Sequence, residues 1–312
     1  MRELGATTRG VWARAQALEV VSRAVVRRRV DSGVWQRPWP GVYADAGVAL
    51  DPEQRAFAAV LASGGGLDPA RRTRAAACGR TAARVQGFVL VDDDDPVTGA
   101  REHLHDEVLV QQRLRPLVAP DGRVLQRHEL VLQERDLVRR PSGLVLTSPV
   151  RTVLDCAALL QPEALVCLLD DALHRGLVSR EALAERAGGS RAAAALRRGL
   201  DLADGRAESP GESLARLLLL PVLPGLVPQV EVFDRASRLV ARLDLADEQR
   251  HLAVELDGRR GHAGDAMLAR DQRRDASTAA LGWLTVRGTW WDVRRGQAAF
   301  VRRVLAQAAR AA

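Results

Sequence analysis

Two short apolar runs that each hold a carboxylate constrain the fold of this chain more than any other feature. Residues 240–245 and 252–256 are rich in apolar side chains and are bounded by turn residues, which predicts the two antiparallel strands of a hairpin. Asp244 lies inside the first strand. Strand alternation places Glu255 and Asp257 on one face of the second strand. The hairpin therefore offers carboxylates on neighbouring strands.

Such a cluster needs a balancing charge. Two carboxylates on adjacent strands repel each other, so that one would be protonated or the hairpin weakened in the absence of a cation. Mg²⁺ and Mn²⁺ prefer oxygen ligands, and a bound ion activates water and stabilises a phosphoryl transition state. The pattern favours a metal site at Asp244, Glu255 and Asp257. The alternative is that Asp244 ends a strand at the surface and that Asp257 forms a turn with Gly258.

The residues around the hairpin resemble a known family. The matching positions are Asp244, Val254 to Gly258, His262, Arg270, Asp271, Arg274 and Gly282 to Arg287. They are similar to the very-short-patch-repair (Vsr-like) branch of the PD-(D/E)XK endonucleases, and the resemblance covers the last third of the chain. It implies a restriction-endonuclease-like domain that hydrolyses a DNA phosphodiester with the help of Mg²⁺ or Mn²⁺.

The resemblance also implies individual roles. Asp244 would be the metal-binding aspartate, Glu255 would complete the acidic cluster, and Asp257 would be the aspartate of the Asp-Gly step. His262 would transfer a proton, although a histidine near two glycines is also an ordinary loop residue. The chain departs from the wider superfamily, because Asp257 stands at the position of the motif lysine and the whole sequence contains no lysine. A lysine-dependent mechanism is therefore excluded.

A further carboxylate, Glu212, opens a predicted helix that precedes the hairpin. The superfamily often contributes a glutamate from this helix, so the resemblance makes Glu212 a candidate catalytic residue. Ser209 to Glu212 is also a capping box with proline at the first helical position, in which the glutamate reaches back to the serine amide. The pattern favours capping, and the two roles are not exclusive.

The segment after the hairpin is basic. Residues 265–281 are predicted to form a helix that Gly282 ends, and a further strand follows. Arg270 and Arg274 share a face of this helix and are candidate phosphate contacts; the alternative is a solvated face paired with neighbouring aspartates. From residue 258 onward the chain holds 11 arginines and 4 aspartates, an excess as large as the net charge of +7 of the whole chain. This excess predicts a polyanionic partner such as DNA.

The N-terminal segment is basic as well, since residues 1–43 hold 8 arginines and 3 acidic residues. A short helix over 16–19, a cap at Ser22 and a second helix over 23–32 form a helix-turn-helix pattern. Two strand-like runs on either side of Pro38 to Pro40 then predict a β-wing. The segment resembles the winged-helix domain of abortive-infection (AbiE-type) antitoxins.

This second resemblance implies a DNA-binding head. Arg23, Arg27 and Arg28 would enter or flank the major groove, and Arg37 in the wing would touch the phosphate backbone. The alternative is an arginine-rich solvated helix, but a basic helix together with a wing favours DNA. A cognate toxin or a second copy of the chain are further candidate partners.

Length and composition define the rest of the architecture. With 312 residues and 47% apolar content, the chain is predicted to be an α/β protein of three domains. A winged helix covers residues 1–47, and a central α+β domain of unassigned role covers residues 48–200. A restriction-endonuclease-like αβ domain with a mixed central sheet covers residues 208–312.

The central domain is predicted from local signals. Helices are expected over 51–63 and 75–87, after Ser148, and twice within 162–187, where Ser179 is a cap. Arg151 and Asp155 lie one turn apart on one of these helices and are predicted to form a structural pair. Trp12 and Trp35 of the preceding domain are expected in its core.

Three cysteines and one apolar stretch bear on the location of the protein. Cys78, Cys156 and Cys167 lack metal-ligand spacing and are predicted to be buried thiols in a reducing cytoplasm. The longest hydrophobic region, residues 214–230, is interrupted by three prolines, and the N-terminus has no apolar core of signal-peptide length. We therefore expect a cytoplasmic protein that does not enter a membrane.

Together these patterns predict a DNA-binding protein with a metal-dependent endonuclease domain at its C-terminus. The winged helix would hold the duplex, and the acidic hairpin would carry the hydrolysis. The alternative is an antitoxin-like transcriptional repressor. In that case the nuclease fold, which lacks lysine, would be catalytically inactive and would only grip DNA or a partner protein.

Overall fold

The computed structural model describes residues 10–47, 49–65, 75–91, 105–110, 114–129, 133–188, 191–257 and 274–311. These residues form a mixed α/β fold whose described strands belong to three sheets, which confirms the predicted fold class. The chain divides into two compact units. The first comprises residues 1–160 and 178–197, and the second comprises residues 161–177 and 198–312. Among the described helices, none is long and apolar enough to span a bilayer.

Both units combine strands with helices. The strands are β1 (Val11–Ala13), β2 (Trp35–Trp39), β3 (Val42–Asp45), β4 (Ala75–Ala77), β5 (His105–Val110), β6 (Leu117–Val118), β7 (Val124–Glu129), β8 (Leu137–Arg139), β9 (Val145–Thr147), β10 (Val227–Phe233), β11 (Leu239–Asp247), β12 (Leu252–Asp257) and β13 (Leu284–Thr289). The helices are α1 (Arg14–Val20), α2 (Arg23–Asp31), α3 (Pro52–Ala62), α4 (Gly79–Gln86), α5 (Pro149–Ala157), α6 (Pro162–His174), α7 (Arg180–Arg186), α8 (Arg191–Leu202), α9 (Pro210–Leu219), α10, described over 274–280, α11 (Trp290–Arg294) and α12 (Gln297–Ala311).

The first unit begins with the predicted helix-turn-helix and hairpin. Ser22 caps α2, because its side chain accepts a hydrogen bond from the backbone N–H of Val25. β2 and β3 form the hairpin, and β1, which the sequence pattern did not predict, pairs with β3 to give the order β1-β3-β2. Trp12 and Trp35 are buried as predicted and pack edge to face, with ring centroids 5.0 Å apart.

A mixed sheet of order β6-β7-β5-β4-β9-β8 follows in the first unit. The helices on it begin as predicted, with Asp51 capping α3 and Ser148 capping α5. Phe57 of α3 packs in one apolar cluster with Leu125 and Leu146 of the sheet. The helices predicted within 162–187 are present as α6 and α7.

The helix predicted over 75–87 is wrong at its start. Residues 75–77 form β4, and α4 begins only at Gly79. Alanine favours helices in isolation, but these three alanines are at most 1% exposed, and β4 pairs with both β5 and β9 in the middle of the sheet. Gly79 then adopts a φ of +51°, and a Cβ at this position would lie 2.7 Å from Cδ1 of Leu159. Tertiary pairing therefore overrides local propensity.

The second unit contains a mixed sheet of order β10-β11-β12-β13. β11 and β12 form the predicted antiparallel hairpin, and β13 is the strand predicted after Gly282. β12 and β13 run parallel, which requires a crossover, and α10 lies within it. Gly282 follows α10 with a φ of +87°, as expected of a glycine that ends a helix.

A buried ion pair joins two helices of the second unit. Nη2 of Arg216 in α9 lies 2.9 Å from Oδ2 of Asp170 in α6, and the two side chains are 6% and 1% exposed. Nη1 of Arg216 donates to the carbonyl oxygen of Leu202, and Oδ1 of Asp170 accepts a hydrogen bond from the amide of Asp204. Additional hydrogen bonds of this kind are what a buried pair requires to offset its desolvation.

Candidate functional site

Asp244 and Glu255 meet at the end of the β11–β12 ladder and are called the acidic pair here. Leu245 pairs with Val254, which places the next residues, Asp244 and Glu255, opposite each other. Oε1 of Glu255 accepts a hydrogen bond from the N–H of Asp244 at 3.3 Å, and Oδ2 of Asp244 accepts one from the N–H of Leu256 at 2.8 Å. The structure thus brings together the first two predicted metal ligands.

The acidic pair carries more negative charge than its surroundings favour. Glu255 is 4% exposed, and burial together with the neighbouring Asp244 raises the pKa of its carboxyl group to about 7. Burial also raises the pKa of Asp244, and the charge of Glu212 adds to this effect, while the amide of Leu256 and the charge of Arg274 oppose it. A further cation would favour ionisation of both carboxyl groups.

Arg274 is a cation that contacts the pair. It lies on α10, and its Nη2 is hydrogen-bonded to Oε2 of Glu255. Its side chain is 34% exposed, so that part of the guanidinium group is open to solvent. The sequence predicted Arg274 to meet phosphate or to lie on a solvated face, and neither alternative included the contact with Glu255. A guanidinium group bonded to one carboxylate still has donors for a phosphate oxygen.

Glu212 lies beside the acidic pair at the start of α9. Oγ of Ser209 accepts a hydrogen bond from the N–H of Glu212 at 3.2 Å, which confirms the capping serine. The second half of the predicted capping box is wrong, because Oε2 of Glu212 accepts the amide of Glu208 at 2.9 Å and not that of Ser209. Glu212 is buried, and its charge contributes to the raised pKa of Asp244. Its side chain therefore binds the backbone that precedes α9 and also lies near the acidic pair.

Gln229 is a site residue that the sequence did not reveal. Its neighbours on β10, Pro228 and Val230, pair with Leu245 and Leu243, which places Gln229 level with Asp244 on the next strand. Nε2 of Gln229 donates to Oε2 of Glu212 at 2.8 Å. Its φ of +55° is unusual for a residue other than glycine. The sequence signal that could have indicated Gln229 is a polar residue that follows a proline within an apolar run.

Asp257 points to a different partner. Its Oδ1 accepts a hydrogen bond from Nη1 of Arg287 at 2.8 Å, and Nη2 of Arg287 reaches Oδ1 of Asp275 at 2.6 Å. Arg287 is the residue of β13 that pairs with Glu255. Among the residues that the structure describes, no three His, Cys, Asp or Glu side chains are arranged to hold one metal ion. The third predicted ligand thus belongs to an arginine-centred cluster next to the acidic pair.

Two predicted site residues, His262 and Arg270, lie outside the described residues. Nothing in the described part of the chain bears on their roles as proton-transfer group and phosphate contact. Both remain predictions from the sequence.

The predicted DNA-contacting arginines of the first unit are exposed. Arg23, Arg27 and Arg28 lie on α2, and Arg37 lies on β2. The fourth arginine of the helix behaves differently, because the guanidinium of Arg29 lies 5.0 Å from the ring centre of Trp35. Arg29 therefore packs on the core.

Three of these arginines and one more line a hollow of about 200 Å³. Its cationic groups come from Arg14, Arg23, Arg27 and Arg37, and this set is called the arginine hollow here. Arg27 also lies 3.5 Å from Asp31, but both side chains are largely exposed, so this pair holds the arginine only weakly. The sequence prediction did not include Arg14, at the start of α1, because a helix-turn-helix pattern assigns DNA contacts to the second helix and the wing. The fold thus gathers positive charge where helix and hairpin meet.

Comparison with known proteins finds two relatives in Mycobacterium tuberculosis, both described as uncharacterized proteins. Each is 33% identical to this chain over 274 residues, which cover 86% of the chain and 90% of the relative. The chain belongs to their family. No protein-family model matches it. The 274 aligned residues include parts of both units.

Proposed function

We propose that this protein binds DNA and cleaves it with a metal-dependent endonuclease domain. The observation that carries the proposal is the acidic pair. Asp244 and Glu255 are held side by side on neighbouring strands, although burial and mutual repulsion raise the pKa of both carboxyl groups. Such an arrangement costs stability, and strained acidic pairs of this kind are common at functional sites.

The acidic pair fits the chemistry of Mg²⁺ or Mn²⁺. Both ions prefer carboxylate oxygens, and Mg²⁺ is commonly held by one or two carboxylates with water and substrate phosphate completing its shell. Asp244 and Glu255 would hold the ion, whereas Asp257 is bonded to Arg287. A bound ion would supply Lewis-acid stabilisation of a phosphoryl oxygen and an activated water.

The chain's own residues would position the reacting groups. Arg274 holds one oxygen of Glu255 and has further N–H donors that suit a phosphate oxygen. Glu212 holds the side chain of Gln229 next to Asp244. Because the sequence contains no lysine, proton transfer would fall to another group, for which His262 is the candidate.

The first unit would supply DNA affinity. The exposed arginines of α2 and β2 lie on a helix-turn-helix and its hairpin, the elements that winged-helix proteins use against the major groove and the phosphate backbone. Affinity from such contacts comes largely from counterion release, so it should fall steeply with salt.

A plasmid-nicking assay tests the proposal. Purified full-length protein is incubated with supercoiled plasmid in Mg²⁺, in Mn²⁺ and in EDTA, beside Asp244→Asn and Glu255→Gln. Asp234→Asn is the matched control, because it removes an aspartate that is bonded to Arg238 in the turn between β10 and β11. Metal-dependent nicking that is lost in the first two variants and kept in the control supports the proposal. Nicking that survives in both site variants contradicts it.

A second candidate function is an antitoxin-like repressor with an inactive nuclease fold. The absence of lysine from the sequence and the hydrogen bond between Arg274 and Glu255 favour it. A repressor would bind one inverted repeat tightly and would not cut it under any metal condition. Fluorescence anisotropy with labelled duplexes distinguishes the two candidates: binding that survives in Asp244→Asn but fails in Arg27→Ala, without any cleavage by the wild type, assigns the repressor role.

A further inference from the structure

A cavity in the first unit has no part in the proposed function. Its volume is about 360 Å³, within the range of small-molecule sites. Its polar lining comes from Cys78, His128, Glu129, Arg151, Asp155 and Arg186. Leu109, Leu154 and Leu159 provide apolar walls. This set is called the central cavity here.

The fold places these groups through elements that are far apart in sequence. Arg151 and Asp155 lie one turn apart on α5, and Nε of Arg151 donates to Oδ1 of Asp155 at 2.8 Å, which confirms the predicted pair. His128 lies on β7, where it pairs with Leu109 of β5. Cys78 is the residue between β4 and α4. Strands, helices and the junction between β4 and α4 thus line one cavity.

Two buried polar atoms at the central cavity have no hydrogen-bond partner in the described part of the chain. Oδ2 of Asp155 and Nε2 of His128 are each shielded from solvent, and neither has a hydrogen-bond partner among the described residues. Burial raises the pKa of Asp155, although Arg151 and the amide of Gly79 favour its ionised form. A buried carboxylate oxygen and a buried imidazole nitrogen without partners are rare in folded proteins, and each calls for an explanation. A ligand that supplies hydrogen bonds is one.

The chemistry of the lining residues limits which classes of ligand the central cavity can bind. Burial and the nearby carboxylates of Asp155 and Glu107 raise the pKa of the Cys78 thiol, so the thiol is protonated and unsuited to nucleophilic attack. Glu129 and Asp155 would repel a free phosphate, whereas Arg151 and Arg186 would repel a simple cation. The lining offers both guanidinium groups and carboxylates, which matches a ligand that carries both charges.

We infer that the central cavity binds a small zwitterion of the amino-acid class. Its ammonium group donates to Oδ2 of Asp155, and its carboxylate accepts hydrogen bonds from Arg186. Nη2 of Arg186 is bonded to Asp136, and a guanidinium group has five N–H donors, so others can reach a ligand. The leucine walls then contact an aliphatic side chain. This site is independent of DNA binding and of the acidic pair.

Calorimetric titration and thermal unfolding of the full-length chain test the inference. The probes are free L-amino acids, with L-leucine as the first choice, beside two analogues that each lack one charge. L-Leucinamide lacks the carboxylate, and 4-methylpentanoate lacks the ammonium group. We expect saturable binding of at least one amino acid, a rise in Tm with its concentration, and at least tenfold weaker binding of both analogues.

Variants assign the binding to the central cavity. Asp155→Asn replaces the free carboxylate oxygen with a nearly isosteric amide and should weaken binding of the amino acid at least tenfold. Asp171→Asn is the matched control, because it disrupts another aspartate–arginine pair one turn apart, with Arg175, outside the cavity. It should leave binding unchanged.

A second variant keeps the inference testable if Asp155→Asn does not fold. Leu154→Trp fills the central cavity from its apolar wall and should abolish binding while the far-ultraviolet circular dichroism spectrum stays native. Equal binding of the amino acid and its two analogues overturns the inference. So does wild-type affinity in a folded Leu154→Trp or Asp155→Asn variant, or the failure of every amino acid to bind.

Discussion

Two arginine–carboxylate contacts in the second unit contain the same groups in different surroundings. Asp170 and Arg216 are both buried. Burial raises the pKa of Asp170, and its contacts with Arg216, Ser213 and the amide of Asp204 offset only part of this rise. Glu255 is buried to a similar degree, but the negative charge of Asp244 raises the pKa of its carboxyl group further. Its partner Arg274 is partly exposed. The contact of Asp170 with Arg216 pairs one negative charge with one positive charge. The contact of Glu255 with Arg274 has an excess of negative charge, because Asp244 lies beside it.

This difference separates a structural role from a functional one. A balanced buried pair joins α6 to α9 and gains nothing from a ligand. An acidic pair whose arginine is partly exposed has a deficit of positive charge that a metal ion can supply. Two contacts between a guanidinium group and a carboxylate therefore need not have the same role, and the surrounding charges decide between the roles.

The largest expected effect is on activity. Asp244→Asn removes a carboxylate of the acidic pair and should lower metal-dependent nicking by at least about 100-fold, since metal stabilisation of a phosphoryl transition state is worth several kcal/mol. The Tm should stay equal or rise, because the variant relieves repulsion with Glu255. Nicking rates and thermal unfolding of the same preparations check both parts. If the variant loses activity only because its Tm falls, the acidic pair has a structural role like that of Asp170 and Arg216.

The next effect is on stability. Arg216→Met leaves the carboxylate of Asp170 buried without its cation and should lower the free energy of unfolding by about 3–5 kcal/mol. Urea unfolding measures this change. The double variant Asp170→Leu with Arg216→Met should recover most of the loss, because no charge remains buried. A small loss in Arg216→Met, similar to that of Asp171→Asn at the partly exposed pair with Arg175, would show that Asp170 and Arg216 do not hold α6 and α9 together.

A pH dependence should distinguish the acidic pair in metal-free solution. The pKa of Glu255 is raised from 4.5 to about 7, so between these values the folded protein retains a proton that the unfolded chain has lost. Stability should therefore fall as pH rises from about 4.5 to about 7, by at most on the order of 3 kcal/mol, since each pKa unit is worth about 1.4 kcal/mol. Glu255→Gln should flatten this part of the profile. Urea unfolding at a series of pH values in EDTA measures this profile. Parallel stability profiles of wild type and variant would contradict the expectation.

The smallest expected effect concerns the arginine hollow. Arg37→Ala should weaken duplex binding several-fold and reduce the slope of log affinity against log salt by about 1, because one phosphate contact is lost. Fluorescence anisotropy over a salt series measures both quantities. Arg238→Ala, which removes an exposed arginine of the second unit, should change neither. An unchanged salt slope in Arg37→Ala would show that the DNA-binding surface does not include the arginine hollow.

Much of the local structure followed from the sequence. Ser22, Ser179 and Ser209 were predicted to cap helices, because a capping side-chain oxygen needs only an amide three residues ahead. The hairpin that carries the acidic pair was recognised because alternation and turn residues specify strands and their register. The pair of Arg151 and Asp155 followed from helix geometry in the same way.

Other features depended on partners distant in the chain. Gln229 was missed because its importance comes from Glu212 and Asp244 on other elements. The contact between Arg274 and Glu255 bridges a helix and a strand, and the helical pattern of the sequence showed only which residues share a face with Arg274. The central cavity was missed for the same reason, because its polar groups come from one strand, two helices and the junction between β4 and α4.

The sequence by itself determined the caps, the hairpin with its two carboxylates, the basic ends and the absence of lysine, because these depend on residue type and on neighbours within a few positions. Only the tertiary structure decided that residues 75–77 form a strand, that Asp257 joins Arg287 and not the acidic pair, and that Asp170 meets Arg216. Each of these outcomes depends on which groups compete for one partner in a buried space. Packing and desolvation between distant segments decide that competition, and the local propensity of the sequence does not predict its outcome.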